Sequence, residues 1–200
     1  MYRKSPMKAQ GKIILASASP RRKKLLEELG IPIEVIPSDV VEDEDAKDLK
    51  LLPLAMALKK IQAVRSRLGA SFDGWLIAAD TIVVLGKKVF GKPKDVNEAR
   101  SMLRSLSNRT HRVFTGYRVE DSAGKSREGT VITDVTFARL SDEEIEWYVS
   151  TGEPMDKAGA YALQGLGGAL VRSISGSYSN VIGLPLFEVV DALRELGAVR

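Results

Sequence analysis

The stretch Ile13-Ile-Leu-Ala-Ser-Ala-Ser-Pro-Arg-Arg22 joins an apolar run to a turn of small residues and two adjacent arginines. The apolar residues predict a short strand. Ser19 is a favourable N-cap residue and Pro20 suits the first helical position, so a helix is predicted to begin here. Free backbone N–H groups at a helix start attract anions, and arginine binds phosphate through paired hydrogen bonds. The stretch therefore predicts a phosphate site after a strand; the alternative is an ordinary capped helix with surface arginines.

The rest of the chain alternates between the apolar spacings of helices and of strands. A capping box, Ser141 to Glu144, predicts one helix start. These segments interleave without an internal repeat or a low-complexity linker, so we expect one α/β unit with a mixed sheet over residues 13–200, after a disordered tail over residues 1–12. The predicted helices lie at about 54–68, 96–106, 141–149 and 186–196, and the predicted strands at 33–36, 76–85, 89–90, 113–120, 130–140 and 181–182.

Composition excludes several classes of protein. The 200 residues include no cysteine, which rules out a disulfide framework, a thiolate nucleophile and a cysteine zinc site. A formal net charge of +4 is mild for a nucleic-acid binder and fits a small anionic substrate. The basic N-terminal segment lacks the apolar core of a signal peptide, and no run approaches membrane-spanning length. We expect a soluble cytoplasmic protein without a membrane partner.

Asp80 stands inside the apolar run of residues 76–85. A carboxylate in such a run is costly to remove from water unless it is paired, lies at a strand edge or binds a metal. Asp80 is therefore a candidate functional acid. The alternative is a strand that ends at Ala79, with Asp80 as an ordinary turn residue.

Two lysines are candidate phosphate contacts. Residues 86–93 approach the spacing of a P-loop, but Pro93 stands where that loop needs a hydroxyl, so only Lys92 is retained; it would otherwise be a solvated hairpin lysine. In the helix predicted over 54–68, Lys60 lies about 90° from the centre of the apolar face, whereas Lys59 points away from it. Lys60 is thus predicted to flank the core.

A glycine-rich segment follows from residue 156 to residue 185. Gln164 carries both donors and an acceptor, which suits the edge of a nucleobase, although such a segment is also typical of a structural turn. A dinucleotide fingerprint fails because Leu170 stands where glycine or alanine is needed. His111, the only histidine, is predicted to be structural or exposed, since one imidazole without cysteine partners makes a poor metal site.

Six spaced motifs stand out along the chain: Ser17-Ala-Ser-Pro-Arg-Arg22, Ala79-Asp-Thr81, Gly91-Lys-Pro93, Asp156-Lys-Ala-Gly-Ala-Tyr161, Gln164-Gly165 and Val181-Ile-Gly-Leu-Pro185. Together and in this order they resemble the Maf family of nucleoside triphosphate pyrophosphatases, from about Ile13 to Leu196. Within that family the chain is most similar to the branch acting on dTTP and UTP, where an arginine, a threonine and a glutamine mark substrate choice; the matching residues are Arg21, Thr81 and Gln164.

The resemblance implies a mixed α/β fold like that of ITP pyrophosphatases, with a curved central sheet, flanking helices and two lobes around a cleft. It implies hydrolysis of a nucleoside triphosphate to the monophosphate and pyrophosphate, with a divalent cation such as Mg²⁺ or Mn²⁺, in what is often a homodimer. Asp80 would be the general base and a metal ligand. Glu42 would be the second carboxylate, with Glu44 of the same acidic loop as the alternative.

By the same resemblance, the triphosphate would be held by a basic clamp, with Ser17 adding a hydroxyl contact. The pair Ala162-Leu163 departs from the Gly-Ile common in relatives, which is expected to alter packing only. The clamp would consist of Arg21, Arg22, Lys60 and Lys92.

Two other functions stay open. A nucleic-acid-binding module could use the same arginines, but the chain lacks aromatic-rich or basic-stripe features, and Asp80 would repel a phosphate backbone. A non-catalytic regulator of septum formation is suggested by the family's older name, septum-formation inhibitor. We expect a nucleotide substrate and no stable nucleic-acid partner.

Overall fold

A computed structural model describes residues 7–40 and 49–200 of the chain, which form a mixed α/β structure, as predicted. Among these residues no helix is long and apolar enough to cross a membrane. The strands are β1 (Ile13–Leu15), β2 (Glu34–Val35), β3 (Trp75–Leu85), β4 (Lys88–Phe90), β5 (Thr110–Asp121), β6 (Ser126–Phe137) and β7 (Val171–Ser175). The helices are α1 (Pro20–Glu28), α2 (Leu52–Leu68), α3 (Val96–Leu106), α4 (Asp142–Ser150), α5 (Tyr178–Ile182) and α6 (Leu186–Glu195), with three short 3₁₀ helices at Glu153–Asp156, Ala158–Ala160 and Leu166–Leu170.

The seven strands form one mixed sheet in the order β2-β1-β3-β5-β6-β7, with β4 paired to β3 outside this path. β1 runs parallel to both β2 and β3, whereas the β3–β4 and β6–β7 pairs are antiparallel. Strand β3 is continuous for 11 residues through Asp80. The alternative in which the strand ends at Ala79 is therefore wrong.

The chain divides into two compact units. The first contains the described residues up to Asp80 together with Thr115–Val131 and Gly183–Arg200, and the second contains Thr81–Phe114 and Ile132–Ile182. Strands β3, β5 and β6 each contribute residues to both units. Because the boundaries fall inside strands, no change of composition marks them in the sequence.

In the first unit, α2 packs its apolar face on β1 and β3. Gly116 of β5 allows α2 to begin close to this strand, since a Cβ at Gly116 would lie 2.2 Å from the Leu54 backbone nitrogen. The buried core of the first unit contains Ile14, Ala16, Ala57, Ile61, Val64, Leu76 and Ala78.

Residues 8–10, which were predicted to belong to a disordered tail, pair with the end of the chain: Gln10 N donates to Ala198 O at 2.9 Å.

Two segments differ from their predictions. Residues 181 and 182, expected in a strand, lie in α5, because the Ser177 hydroxyl accepts a hydrogen bond from Asn180 N and the Ser177 carbonyl accepts one from Val181 N. Strand β7 was not predicted, since glycines surround it. It pairs antiparallel with β6, with Val135 opposite Ile174.

The second unit has an aromatic cluster at its core. His111, Phe137 and Tyr161 are each no more than 5% exposed and meet edge to face, with ring centroids 4.8 to 5.3 Å apart. His111 Nε2 lies 2.8 Å from the Tyr161 hydroxyl. Burial lowers the pKa of His111 to about 4, against the opposing charge of Asp134. His111 is thus a buried structural residue that is neutral at physiological pH.

This buried histidine predicts a loss of stability in acid. Between about pH 6.5 and 4 the unfolded chain binds a proton at His111 that the folded chain does not, so the free energy of unfolding should fall by about 3 kcal/mol as the pH drops through this range. Chemical denaturation at several pH values measures this fall. His111→Gln, whose amide can still contact Tyr161, should show a correspondingly shallower dependence, whereas equal slopes would assign the effect to other groups.

Candidate functional site

The turn after β1 is closed by a serine hydroxyl. Helix α1 begins at Pro20 with Ser19 in the N-cap position, as predicted. The Ser19 side chain makes no capping hydrogen bond; instead, the Ser19 backbone nitrogen donates to Ser17 Oγ at 3.2 Å. Ser17 is 5% exposed. Its hydroxyl therefore shapes the turn that presents the start of α1.

Arg22 holds this turn from inside the first unit. It is buried, its Nε donates to the Gly183 carbonyl at 2.7 Å, and one terminal nitrogen donates to Ser17 Oγ at 3.0 Å. Two of the motifs, 161 residues apart, thus meet through one guanidinium group. Arg21, the preceding residue, is half-buried in the first turn of α1. Arg22 consequently has a positioning role in addition to the predicted phosphate contact.

Asp80 and Lys60 form a buried ion pair. The distance from Lys60 Nζ to Asp80 Oδ1 is 2.5 Å, and the two residues are 6% and 5% exposed. Lys59, its neighbour on α2, is exposed, as the helical spacing predicted. A buried ion pair gains little net stability, because removing both charges from water is costly. Charged groups that a fold retains at such a cost are candidates for chemistry.

The register of the sheet relates this pair to the turn. β1 and β3 are parallel, with Leu15 opposite Ile77, and Ala16 N donates to the Ile77 carbonyl at 2.7 Å. The turn containing Ser17 therefore leaves β1 beside Ile77, the third residue of β3, which is three residues before Asp80 along that strand. Within the first unit, the structure brings the predicted phosphate turn and the predicted acid to the same region of the sheet.

Lys92 belongs to the second unit and is exposed. The carbonyl of the preceding residue, Gly91, accepts a hydrogen bond from Gly159 N at 3.0 Å. Gly159 has a φ of +72°, and a Cβ there would lie 3.0 Å from a Val83 methyl group. A glycine at this point thus lets the motif of residues 156–161 hold the backbone next to Lys92.

Gln164 and Thr81 are the other predicted substrate contacts of the second unit. Gln164 is half-buried in a turn between Tyr161 and the 3₁₀ helix Leu166–Leu170, and Thr81 is half-buried in β3 directly after Asp80. Tyr148 and Glu153, which hold the Gln164 turn through hydrogen bonds to its backbone, were not predicted as site residues. No local sequence pattern indicated either residue. Tyr148 lies in α4 and Glu153 in the 3₁₀ helix that follows it, and both precede Gln164 by more than ten residues.

The second predicted metal ligand, Glu42, lies outside the described residues, as does Glu44. In the described ranges, no cluster of three or more histidine, aspartate or glutamate side chains could hold a metal ion. Asp80 supplies a carboxylate, the kind of oxygen ligand that Mg²⁺ and Mn²⁺ prefer. The described residues therefore supply one candidate ligand for such an ion, Asp80, and Glu42 as the second ligand stays a prediction.

The buried Lys60–Asp80 pair lies beside the predicted phosphate turn on a mixed α/β sheet. The family model described as Maf-like protein matches residues 12–196, and the chain belongs to this family. A Syntrophotalea carbinolica protein named dTTP/UTP pyrophosphatase is 46% identical, with 98% of this chain and 90% of the relative covered. A Geotalea uraniireducens protein of the same name is 49% identical, with 96% and 99% covered. A solved HAM1 protein from Coxiella burnetii superposes with a TM-score of 0.45 at 17% identity, covering 64% of this chain and 74% of that one.

Proposed function

We propose that this protein is a nucleoside triphosphate pyrophosphatase that hydrolyses dTTP and UTP to the nucleoside monophosphate and pyrophosphate. The observation that carries the proposal is the buried Lys60–Asp80 pair beside the Ser17 turn. Family membership and the names of relatives that are 46% and 49% identical support the activity and the pyrimidine substrates.

Each residue of the site has a proposed task. Asp80 accepts a proton from the attacking water, and Lys60, which donates to Asp80 Oδ1, fixes that carboxylate and adds positive charge. Arg21, Arg22 and Lys92 bind the phosphates and offset the charge that grows on the leaving pyrophosphate. Ser17 adds a hydroxyl contact, while Thr81 and Gln164 select the base.

A divalent cation, Mg²⁺ or Mn²⁺, is proposed as cofactor, held by Asp80 with Glu42 as the second carboxylate. When bound, such an ion would neutralise phosphate charge and polarise the bond that breaks. We further propose a cytoplasmic enzyme, active as a homodimer and without a nucleic-acid partner. The mild net charge of +4 supports a small anionic substrate over nucleic acid.

Product analysis tests this function. Hydrolysis of dTTP or UTP in ¹⁸O-labelled water with Mg²⁺ should place the label in the nucleoside monophosphate, because a clamp on the distal phosphates favours pyrophosphate as leaving group and water attack at the α-phosphorus. Mass spectrometry of both products reads this out. Label in pyrophosphate would move the attack to the β-phosphorus, and labelled orthophosphate with a nucleoside diphosphate would contradict the pyrophosphatase activity.

A further inference from the structure

A glutamate carboxylate holds the backbone that follows Gln164. Glu153 Oε2 accepts a hydrogen bond from Leu166 N at 3.1 Å, and Glu153 Oε1 accepts one from Gly167 N at 3.0 Å. One carboxylate thus binds two consecutive amides, two and three residues after Gln164. Hydrogen bonds to an ionised acceptor are about twice as strong as neutral ones, so the carboxylate is a firm anchor for this turn.

A buried tyrosine also holds this turn. The Tyr148 hydroxyl donates to Glu153 Oε1 at 2.9 Å and accepts a hydrogen bond from Ala162 N at 3.1 Å, two residues before Gln164. Tyr148 is fully buried. The two side chains therefore form one connected network that fixes the backbone before and after Gln164.

The glycines of the turn allow this close approach. Gly165 has a φ of +89°, and a Cβ there would lie 2.6 Å from Glu153 Oε2. At Gly167 a Cβ would lie 2.5 Å from both the Ala162 carbonyl oxygen and the Tyr148 hydroxyl. Any larger residue at either position would displace the carboxylate or the tyrosine, so the glycine-rich sequence and the two anchors belong to one arrangement.

The carboxylate is ionised in this setting. Burial opposes its charge, but the hydrogen bonds from Gly167, Leu166 and Tyr148 outweigh burial and lower the pKa of Glu153. Lys157 adds to this effect, and its Nζ also donates to the Glu153 carbonyl at 2.6 Å. The anchor thus keeps its charge at neutral pH.

We propose that Glu153 and Tyr148 are positioning residues for base selection: they hold the turn so that the Gln164 amide meets the edge of a pyrimidine. The proposal rests on the proposed function, because it takes Gln164 as the base contact. Neither side chain need touch the nucleotide. Their effect passes through the backbone of residues 162–167.

Glu153→Gln tests this role, because glutamine preserves the shape of the side chain but replaces one carboxylate oxygen by an NH₂ group. That NH₂ group cannot accept a hydrogen bond from Leu166 N or Gly167 N, so one of these two backbone donors loses its acceptor. The ratio of kcat/KM for dTTP to that for dGTP should fall at least about 10-fold, mainly through a higher KM for dTTP, since one of the two backbone N–H groups loses its acceptor and the turn is no longer held in place. Amide exchange of residues 162–167, measured by mass spectrometry, should accelerate. Tyr148→Phe should shift the ratio in the same direction by less, because Glu153 keeps both amides.

Two comparisons separate positioning from general damage. Glu146→Gln, which breaks an exposed pair with Arg100 in the same unit, should leave the dTTP to dGTP ratio unchanged. Added to Gln164→Ala, Glu153→Gln should cause no further loss of discrimination, because both changes remove the same base contact. Additive losses would show that Glu153 does not act through Gln164.

Wild-type selectivity in a folded Glu153→Gln protein overturns the positioning role alone. If that variant does not fold, the ratio measured for Tyr148→Phe decides in its place, and an unchanged ratio again overturns the role. The wild-type protein is assayed before any variant. If it hydrolyses neither dTTP nor UTP, the proposed function itself is contradicted.

Discussion

Asp80→Asn is expected to lower the turnover of dTTP and UTP at least about 10²-fold, because an amide cannot take a proton from water or hold a metal ion as a carboxylate does. The protein should remain folded. The amide oxygen of asparagine can still accept the hydrogen bond from Lys60, which now meets Asp80 Oδ1 at 2.5 Å. Steady-state assays of released pyrophosphate, with thermal melting as the test of folding, measure both expectations.

Asp73→Asn is the matched control for this change. Asp73 belongs to the same unit, is exposed and precedes β3 by two residues, so the same substitution there removes one negative charge without touching the buried pair. Its turnover should equal that of the wild type. Near-normal activity of a folded Asp80→Asn protein would assign the proton transfer to another group.

Local signals in the sequence predicted the elements that end in recognisable caps. Helix α3 has the predicted bounds, 96–106, with Asp95 as N-cap accepting from Glu98 N. The capping box of α4 forms between Ser141 and Glu144 as expected. Each of these hydrogen bonds joins residues three positions apart, so the residues that decide where the helix begins lie close together in the sequence.

Contacts between distant residues could not be predicted in the same way. The bond from Arg22 to the Gly183 carbonyl joins residues 161 positions apart, and only the family motifs indicated that both positions matter. Helix α5 was predicted as a strand because Val181 and Ile182 favour strands, yet the Ser177 hydroxyl and carbonyl hold the chain in a helical turn. A local capping interaction outweighed β-propensity there.

The residues of the candidate site show the same difference between what local sequence patterns predict and what depends on distant contacts. Helical spacing alone predicted that Lys60 flanks the core and that Lys59 points away from it, and the cost of burying a carboxylate marked Asp80 as a candidate. In the structure Lys60 is buried and Lys59 is exposed. That these two side chains form a pair could not be read from the sequence, because the pairing depends on how α2 packs against β3. The anchors of the Gln164 turn were missed for a related reason: Glu153 binds backbone amides, which carry no sequence signature.

The largest effect on stability is expected at Lys60. Lys60→Met removes the partner of a buried carboxylate that is 5% exposed, and breaking a buried pair from one side leaves an uncompensated charge in the interior. The free energy of unfolding at pH 7 should fall by about 3 kcal/mol or more. Denaturant titration measures this loss, and Lys59→Met, an exposed change one residue away on the same helix, should alter stability by less than about 0.5 kcal/mol.

The double variant Lys60→Met with Asp80→Asn identifies the cause of that loss. With both charges gone, no unpaired ion remains in the interior, so the double variant should be more stable than Lys60→Met alone although it differs from the wild type at one more buried position. Full additivity of the two single losses would instead mean that packing of the lysine stem, rather than its charge, stabilises the first unit. Because Asp80 and Lys60 are also the proposed base and its partner, the double variant should stay as inactive as Asp80→Asn, which separates the recovery of stability from any recovery of catalysis.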